Sequence, residues 1–131
     1  MKLLLDTHIW LWSLAEPSRL APGVAQELTD PRNEIWLSPV SVWEALTLVR
    51  KGRIVLDGSP ESWVREALRK VGLREAGLNH EIASRTMALE LAHWDPADRF
   101  IAATAIVYDL TLVTADDRLL GCRQYSTLAN R

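Results

Sequence analysis

Residues 2–6 read Lys2-Leu3-Leu4-Leu5-Asp6, three leucines in a row closed by an acid. So short an apolar run, met by a charge, reads as a buried strand. Leu110-Thr111-Leu112-Val113, bounded by Asp109 and Asp116, reads as a second such strand. Ile35–Leu37, between Asn33 and Pro39, is a third, and Leu73–Ala76 is a weaker fourth. Between these runs lie amphipathic stretches. That alternation predicts an α/β fold: a mostly parallel sheet with helices on both faces, a three-layer α/β/α sandwich.

The helical stretches carry their own punctuation. The first runs through Trp10, Leu11 and Leu14 and stops near Pro17, and a second covers Pro22–Leu28. Val40–Lys51 places Val42, Ala45, Leu46 and Val49 on one face, with Gly52 as its stop. Ser59-Pro60 is a hydroxyl cap followed by proline, starting a helix to Lys70 with Trp63, Ala67 and Leu68 inward. Asn79 caps a helix from Glu81 to Leu91, whose Ile82 and Leu89 share a buried face. Asp95-Pro96 opens a helix to Tyr108, and a short helix at Asp117–Leu120 precedes a tail without signal.

At 131 residues the chain has the length of one domain, and 48% hydrophobic residues suffice for a core without staples. A single cysteine, Cys122, excludes an internal disulfide and a multi-cysteine zinc site, and fits a reducing, cytoplasmic setting. No apolar run approaches the ~20 residues that cross a bilayer, and Asp6 interrupts the N-terminus too early for a signal peptide. The net charge is −2. Setting four acids aside as metal ligands makes the remainder slightly positive, so charge neither demands nor forbids a polyanionic substrate.

Four acids stand out by placement. In open α/β sheets, ligands bind beyond the carboxyl ends of the strands. Asp6 ends the first strand, Asp116 follows the last, Glu44 lies early in the helix after the second, and Asp98 lies in the first turn of its helix. Asp95 reads as a cap, Asp98 also suits the helix dipole, and Asp116 or Asp117 suits the cap of the short helix. Asp6, directly after a buried strand, has no cap role that requires it. Gathered together, such carboxylates repel by about 4 kcal/mol per pair at ~4 Å and an effective dielectric near 20. Oxygen-only ligation points to Mg²⁺ or Mn²⁺, and such ions serve phosphodiester hydrolysis.

The sequence Leu4-Leu5-Asp6-Thr7-His8, then Ser41-Val42-Trp43-Glu44, His93-Trp94-Asp95-Pro96-Ala97-Asp98-Arg99 and Leu112-Val113-Thr114-Ala115-Asp116 resembles the PIN-domain ribonucleases, in particular the VapC toxins of type II toxin–antitoxin pairs. The resemblance covers nearly all of residues 1–131. It implies one PIN-like nuclease domain, a Mg²⁺- or Mn²⁺-dependent endoribonuclease acting on RNA such as tRNA, a homodimer, and inhibition by a cognate antitoxin protein that also binds operator DNA. Asp6, Glu44, Asp98 and Asp116 match the acidic quartet, with Asp6 and Asp98 as the metal pair. Thr7, Ser41 and Thr114 match polar positions beside those acids. Ala97 departs from a commonly aromatic position, and register with Thr114 favours Asp116 over Asp117.

Several residues carry second readings. Arg99 is a candidate phosphate contact. His8 is the histidine nearest the acids, whereas His80 and His93 read as helix-start residues. The basic residues Arg50, Lys51 and Arg53, then Arg65, Arg69, Lys70 and Arg74, form solvated faces or an RNA track. Trp10, Trp12, Trp43 and Trp63 read as core, except that Trp10 and Trp12 point ~200° apart on one helix, so one of them faces a groove. The rival functions are a phosphatase-like hydrolase using Asp6 and a non-enzymatic α/β binding module whose acids are caps.

Overall fold

Leu3, Leu4 and Leu5 are all buried, with Leu4 facing one side of the sheet and its two neighbours the other. This alternation and double burial follow from strand geometry with helices on both faces. The computed structural model describes residues 1–70 and 72–131. Its strands are β1 (Lys2–Leu5), β2 (Glu34–Leu37), β3 (Arg74–Glu75), β4 (Thr111–Thr114) and β5 (Thr127–Ala129). The helices are α1 (Thr7–Ala15), α2 (Pro22–Thr29), α3 (Pro39–Arg50), α4 (Pro60–Arg69), α5 (His80–Arg85), α6 (Pro96–Val107) and α7 (Asp117–Leu120).

The sheet order is β3-β2-β1-β4-β5, and every pairing is parallel. In the centre Leu4 pairs with Trp36 on β2 and with Leu112 on β4. From β1 the chain steps outward through β2 and β3, then returns to place β4 on the other side. The order therefore reverses at β1, and the crevice beyond β1 and β4 is where such folds bind ligands.

Two cores flank the sheet. One joins Leu3, Leu5 and Val113 to Ile9 and Trp10 of α1, Val24 of α2, Ala45 of α3 and Ala67 of α4. The other joins Leu4 and Leu112 to Ile82 of α5, Ile101, Ala102 and Ala105 of α6, and Leu119 of α7. The α/β/α sandwich is thus as expected. Among the described residues no helix is long and apolar enough to cross a membrane.

The boundaries differ in instructive places. The helix expected from Glu81 to Leu91 ends at Arg85, passes through a 3-10 turn at Thr86–Ala88 and then leaves regular structure until α6. The reason is Arg99, which is only 4% exposed. Its guanidinium donates to the carbonyls of Thr86 (2.8 Å), Leu91 (2.7 Å) and His93 (3.2 Å), groups freed by the unwinding. The Trp94 ring covers it at 3.5 Å. Arg99 is therefore a structural clamp, and the expectation of a phosphate contact there is corrected.

The tail without signal forms β5, an edge strand beside β4 held by Asn130, whose side chain accepts from the Ala21 N–H and donates to the Arg19 carbonyl. Of the tryptophans expected in the core, Trp10 is buried and Trp63 packs on it at 5.7 Å, but Trp43 is 61% exposed. Leu68, expected inward, is exposed as well. The end of α3 is as read, with Gly52 at φ +73°, a conformation glycine adopts without strain. Truncating Leu112 to alanine is expected to cost about 2–5 kcal/mol, whereas Leu68→Ala costs under ~1 kcal/mol; chemical denaturation of the two variants distinguishes these depths.

Candidate active site

Asp6 leaves β1 at the strand-order reversal, and its backbone N–H bonds to the Val113 carbonyl of β4 (3.0 Å). That bond brings the ends of the two central strands together. Asp6 is 7% exposed, and both carboxylate oxygens are engaged: Oδ1 accepts from the Thr7 N–H (2.9 Å), and Oδ2 from the Thr114 hydroxyl (2.6 Å). Asp6 is thus the N-cap of α1 after all, a role the sequence reading denied it. It also lines a crevice of about 340 Å³ together with His8, Trp12, Glu44, Asp95, Asp98, Ala115, Asp116 and Arg118.

All four acids singled out from the sequence border this one crevice. Glu44 arrives from the second turn of α3, which Ser38 caps. Its Oε1 is hydrogen-bonded by the Thr7 hydroxyl, and Thr7 Oγ1 also lies 2.9 Å from Ser41 Oγ. An ionised carboxylate only accepts, and Thr7 has one proton to give. Donation therefore runs from Ser41 to Thr7 to Glu44. The three hydroxyl positions beside the acids, Thr7, Ser41 and Thr114, are all buried and all act on carboxylates or on each other.

Asp98 sits at the third position of α6, whose cap, Asp95, accepts from the Asp98 N–H (3.0 Å). Its Oδ2 meets His93 Nε2 at 3.1 Å and an Arg118 nitrogen at 3.7 Å. Asp116 caps α7, and its carboxylate is held by the backbone and guanidinium of Arg118. Asp117 points away, toward Arg131. The sequence reading missed three neighbours. Asp95 borders the crevice as well as capping; His93 is bound to Asp98 instead of starting a helix; Arg118 brings a cation. Only the acid-rich context of Asp116-Asp117-Arg118 hinted at the last.

The electrostatics reflect the crowding. Burial pushes the Asp98 carboxyl up to about 6, with Asp6, Asp95 and Glu44 adding repulsion against the His93 hydrogen bond. Burial also raises Asp6, offset by the Thr114 hydrogen bond, and raises Glu44, offset by Thr7. Asp116 alone is lowered, by its hydrogen bonds to Arg118.

The donor set suits a hard dication: carboxylate oxygens, crowded against their own repulsion. Among the described residues no three such side chains stand close enough to form a ready-made cage. Mg²⁺ and Mn²⁺ keep several waters and take one or two carboxylates plus substrate phosphates. A phosphatase of the aspartyl-nucleophile kind wants a second Asp two residues after Asp6, and that position is His8. The cap reading accounts for Asp6 and Asp116 but not for Glu44 or the raised Asp98.

A larger groove of about 560 Å³ adjoins the crevice, sharing His8 and Trp12 and continuing over Leu14, Ile54, Val55 and Trp63. Trp12 is thus the groove-facing member of the Trp10/Trp12 pair. Of the basic residues, Arg53 and Lys70 border this groove, and Arg74 pairs with Glu34 (3.6 Å).

Comparison with known proteins places these features in context. The PIN domain model matches residues 3–121. Ribonuclease VapC22 of Mycobacterium tuberculosis is 36% identical over 122 residues, covering 92% of each chain. VapBC2 from Rickettsia felis, solved bound to a DNA fragment from its promoter, superposes with a TM-score of 0.74 at 19% identity over 98% of each chain. FitAcB from Neisseria gonorrhoeae gives 0.69 at 22% identity, covering 98% of this chain and 97% of that one.

The raised Asp98 has a consequence for stability. Between pH 3.8 and about 6 the folded chain holds a proton there that the unfolded chain has released. Stability contributed by this group therefore falls as pH rises through that window. Asp98→Asn cannot ionise and escapes the loss. Without divalent ions it is expected to be about 1–2 kcal/mol more stable than wild type above pH 6 and equal to it near pH 4; melting curves across that range check the sign.

Proposed function

The chain belongs to the PIN-domain family, and from that premise we propose that residues 1–131 form one nuclease domain, a VapC-type ribonuclease toxin that hydrolyses RNA phosphodiester bonds with Mg²⁺ or Mn²⁺. The observation that carries this reading is the crowding of Asp6, Glu44 and Asp98 at the reversal point of the sheet, each held by a hydroxyl or imidazole and each with its proton affinity raised. Nothing in an α/β scaffold calls for that concentration of charge. A polyanionic substrate bridged by a dication does.

Asp6 and Asp98 would hold the ion directly, with Glu44 and Asp116 acting through water. When bound, such an ion neutralises the phosphate and lowers the pKa of water. The side chains supply the rest. Thr114 fixes the rotamer of Asp6, and the Ser41–Thr7 relay fixes that of Glu44. Glu44 Oε2 has no hydrogen-bond partner among the described residues and is free to accept the proton of the attacking water. In-line attack on phosphorus breaks the bond to the 3′ oxygen, which takes up a proton, leaving 5′-phosphate and 3′-hydroxyl ends.

The partners follow the same reading. RNA, tRNA included, is the substrate. A cognate antitoxin protein occupies the groove over Trp12 and Trp63, where a peptide would also cover His8 at the mouth of the crevice. The active form is a cytoplasmic homodimer.

The test is incubation with total RNA in Mg²⁺ or Mn²⁺ and mapping of the new ends. Asp6→Asn is expected to abolish cleavage while retaining the wild-type circular dichroism. Thr114→Val is expected to lower the rate about 10–100-fold, the usual effect of removing a group that orients a ligand. Cleavage by Asp6→Asn at the wild-type rate would refute the assignment.

A further inference from the structure

Asp116 gives both its oxygens to one residue. Oδ1 accepts from the backbone N–H of Arg118 (2.9 Å) and its Nε (3.1 Å), and Oδ2 accepts from Nη2 (2.8 Å). The same Nη2 reaches across to Asp98 Oδ2 at 3.7 Å, joining α7 to α6 over the crevice. The Arg118 side chain is 60% exposed, while that of Asp98 is only 13% exposed. A solvent-exposed, permanently charged group thus stands between two carboxylates of the candidate site.

The chain contains an internal comparison. Asp30 and Arg32 form the same clasp two residues apart, with the same three distances of 2.9, 3.1 and 2.8 Å. The clasp is therefore a local habit of the turn and by itself implies nothing. Among the described residues Arg32 pairs with Asp30 alone, and it lies outside the crevice. What sets Arg118 apart is the second acid on another element and the shared cavity.

Resting on the nuclease reading above, we propose that Arg118 is a tethered counter-cation of the acid crevice, which opposes divalent-ion binding in the free protein and moves onto a phosphate of the bound RNA strand. A guanidinium beside Asp98 and Asp116 repels an incoming dication. Asp116 cannot turn its oxygens to a hydrated ion while all three Arg118 donors are on them. Once released, the same planar fork suits two phosphate oxygens. The arginine thus exchanges one set of oxygens for another, and ion and strand enter together.

The experiment compares the full-length wild type with Arg118→Gln, and with Arg32→Gln as the control for the clasp alone. Mn²⁺ binding is measured by calorimetry, and binding of a fluorescent single-stranded RNA is measured in Ca²⁺. Arg118→Gln is expected to bind Mn²⁺ about tenfold more tightly and RNA about fivefold more weakly. Arg32→Gln should match the wild type in both. Opposed signs mark the counter-cation, since a purely structural defect at the start of α7 would weaken both ligands and lower the melting temperature. Equal Mn²⁺ affinities in wild type and Arg118→Gln, or RNA binding that does not weaken, overturn the proposal and leave the nuclease reading standing. Absence of saturable Mn²⁺ binding in both wild type and Arg118→Gln, or binding that Asp98→Asn does not reduce, overturns both.

Discussion

The burial of carboxylates crowded beyond the ends of the two central strands is the constraint around which this site is arranged. Taking such charges out of water opposes folding, and their mutual repulsion adds to the cost. The chain holds them by local means. Thr114 donates to Asp6, Thr7 to Glu44, and His93 meets Asp98. Burial still dominates, so three of the four carboxyl groups have raised proton affinity. Only Asp116, clasped by Arg118, is relieved.

The scaffold explains how the charges are brought together without a continuous motif. Parallel pairing of β1 and β4, with Leu4 against Leu112 and Leu5 against Val113, fixes where Asp6 and Thr114 emerge. The Arg99 clamp on Thr86, Leu91 and His93 then sets the segment leading into α6. It ties the His93 backbone one residue after Asp98, so that the imidazole meets the Asp98 carboxylate. A charge buried for packing thereby shapes a neighbouring charge that lines the crevice. An account ending at the four acids would miss that dependence.

Much of this was legible in the sequence, for reasons that can be named. Three successive leucines before an acid fit a doubly covered strand, and Ser59-Pro60 and Asp95-Pro96 are local signals whose physics needs no tertiary context. Position relative to strand ends singled out Asp6, Glu44, Asp98 and Asp116. What escaped depended on contacts made at a distance. Arg99 resembled a surface arginine because its partners are backbone carbonyls without sequence identity. The break after Arg85 follows from Arg99, not from any residue within the segment. Trp43 was read inward on apolar neighbours, although its helix buries Ser41 and Ala45 instead. β5 is three half-buried residues that make a strand only because β4 lies beside them.

The central claim is that the crevice between β1 and β4 is built for a hard dication. Crystals of the wild-type protein soaked in Mn²⁺ and recorded near the manganese absorption edge test it directly. The account predicts an anomalous peak in the crevice, beside the Asp6 and Asp98 carboxylates. Saturating Mn²⁺ that left these two groups unengaged, with manganese bound elsewhere or nowhere, would contradict it.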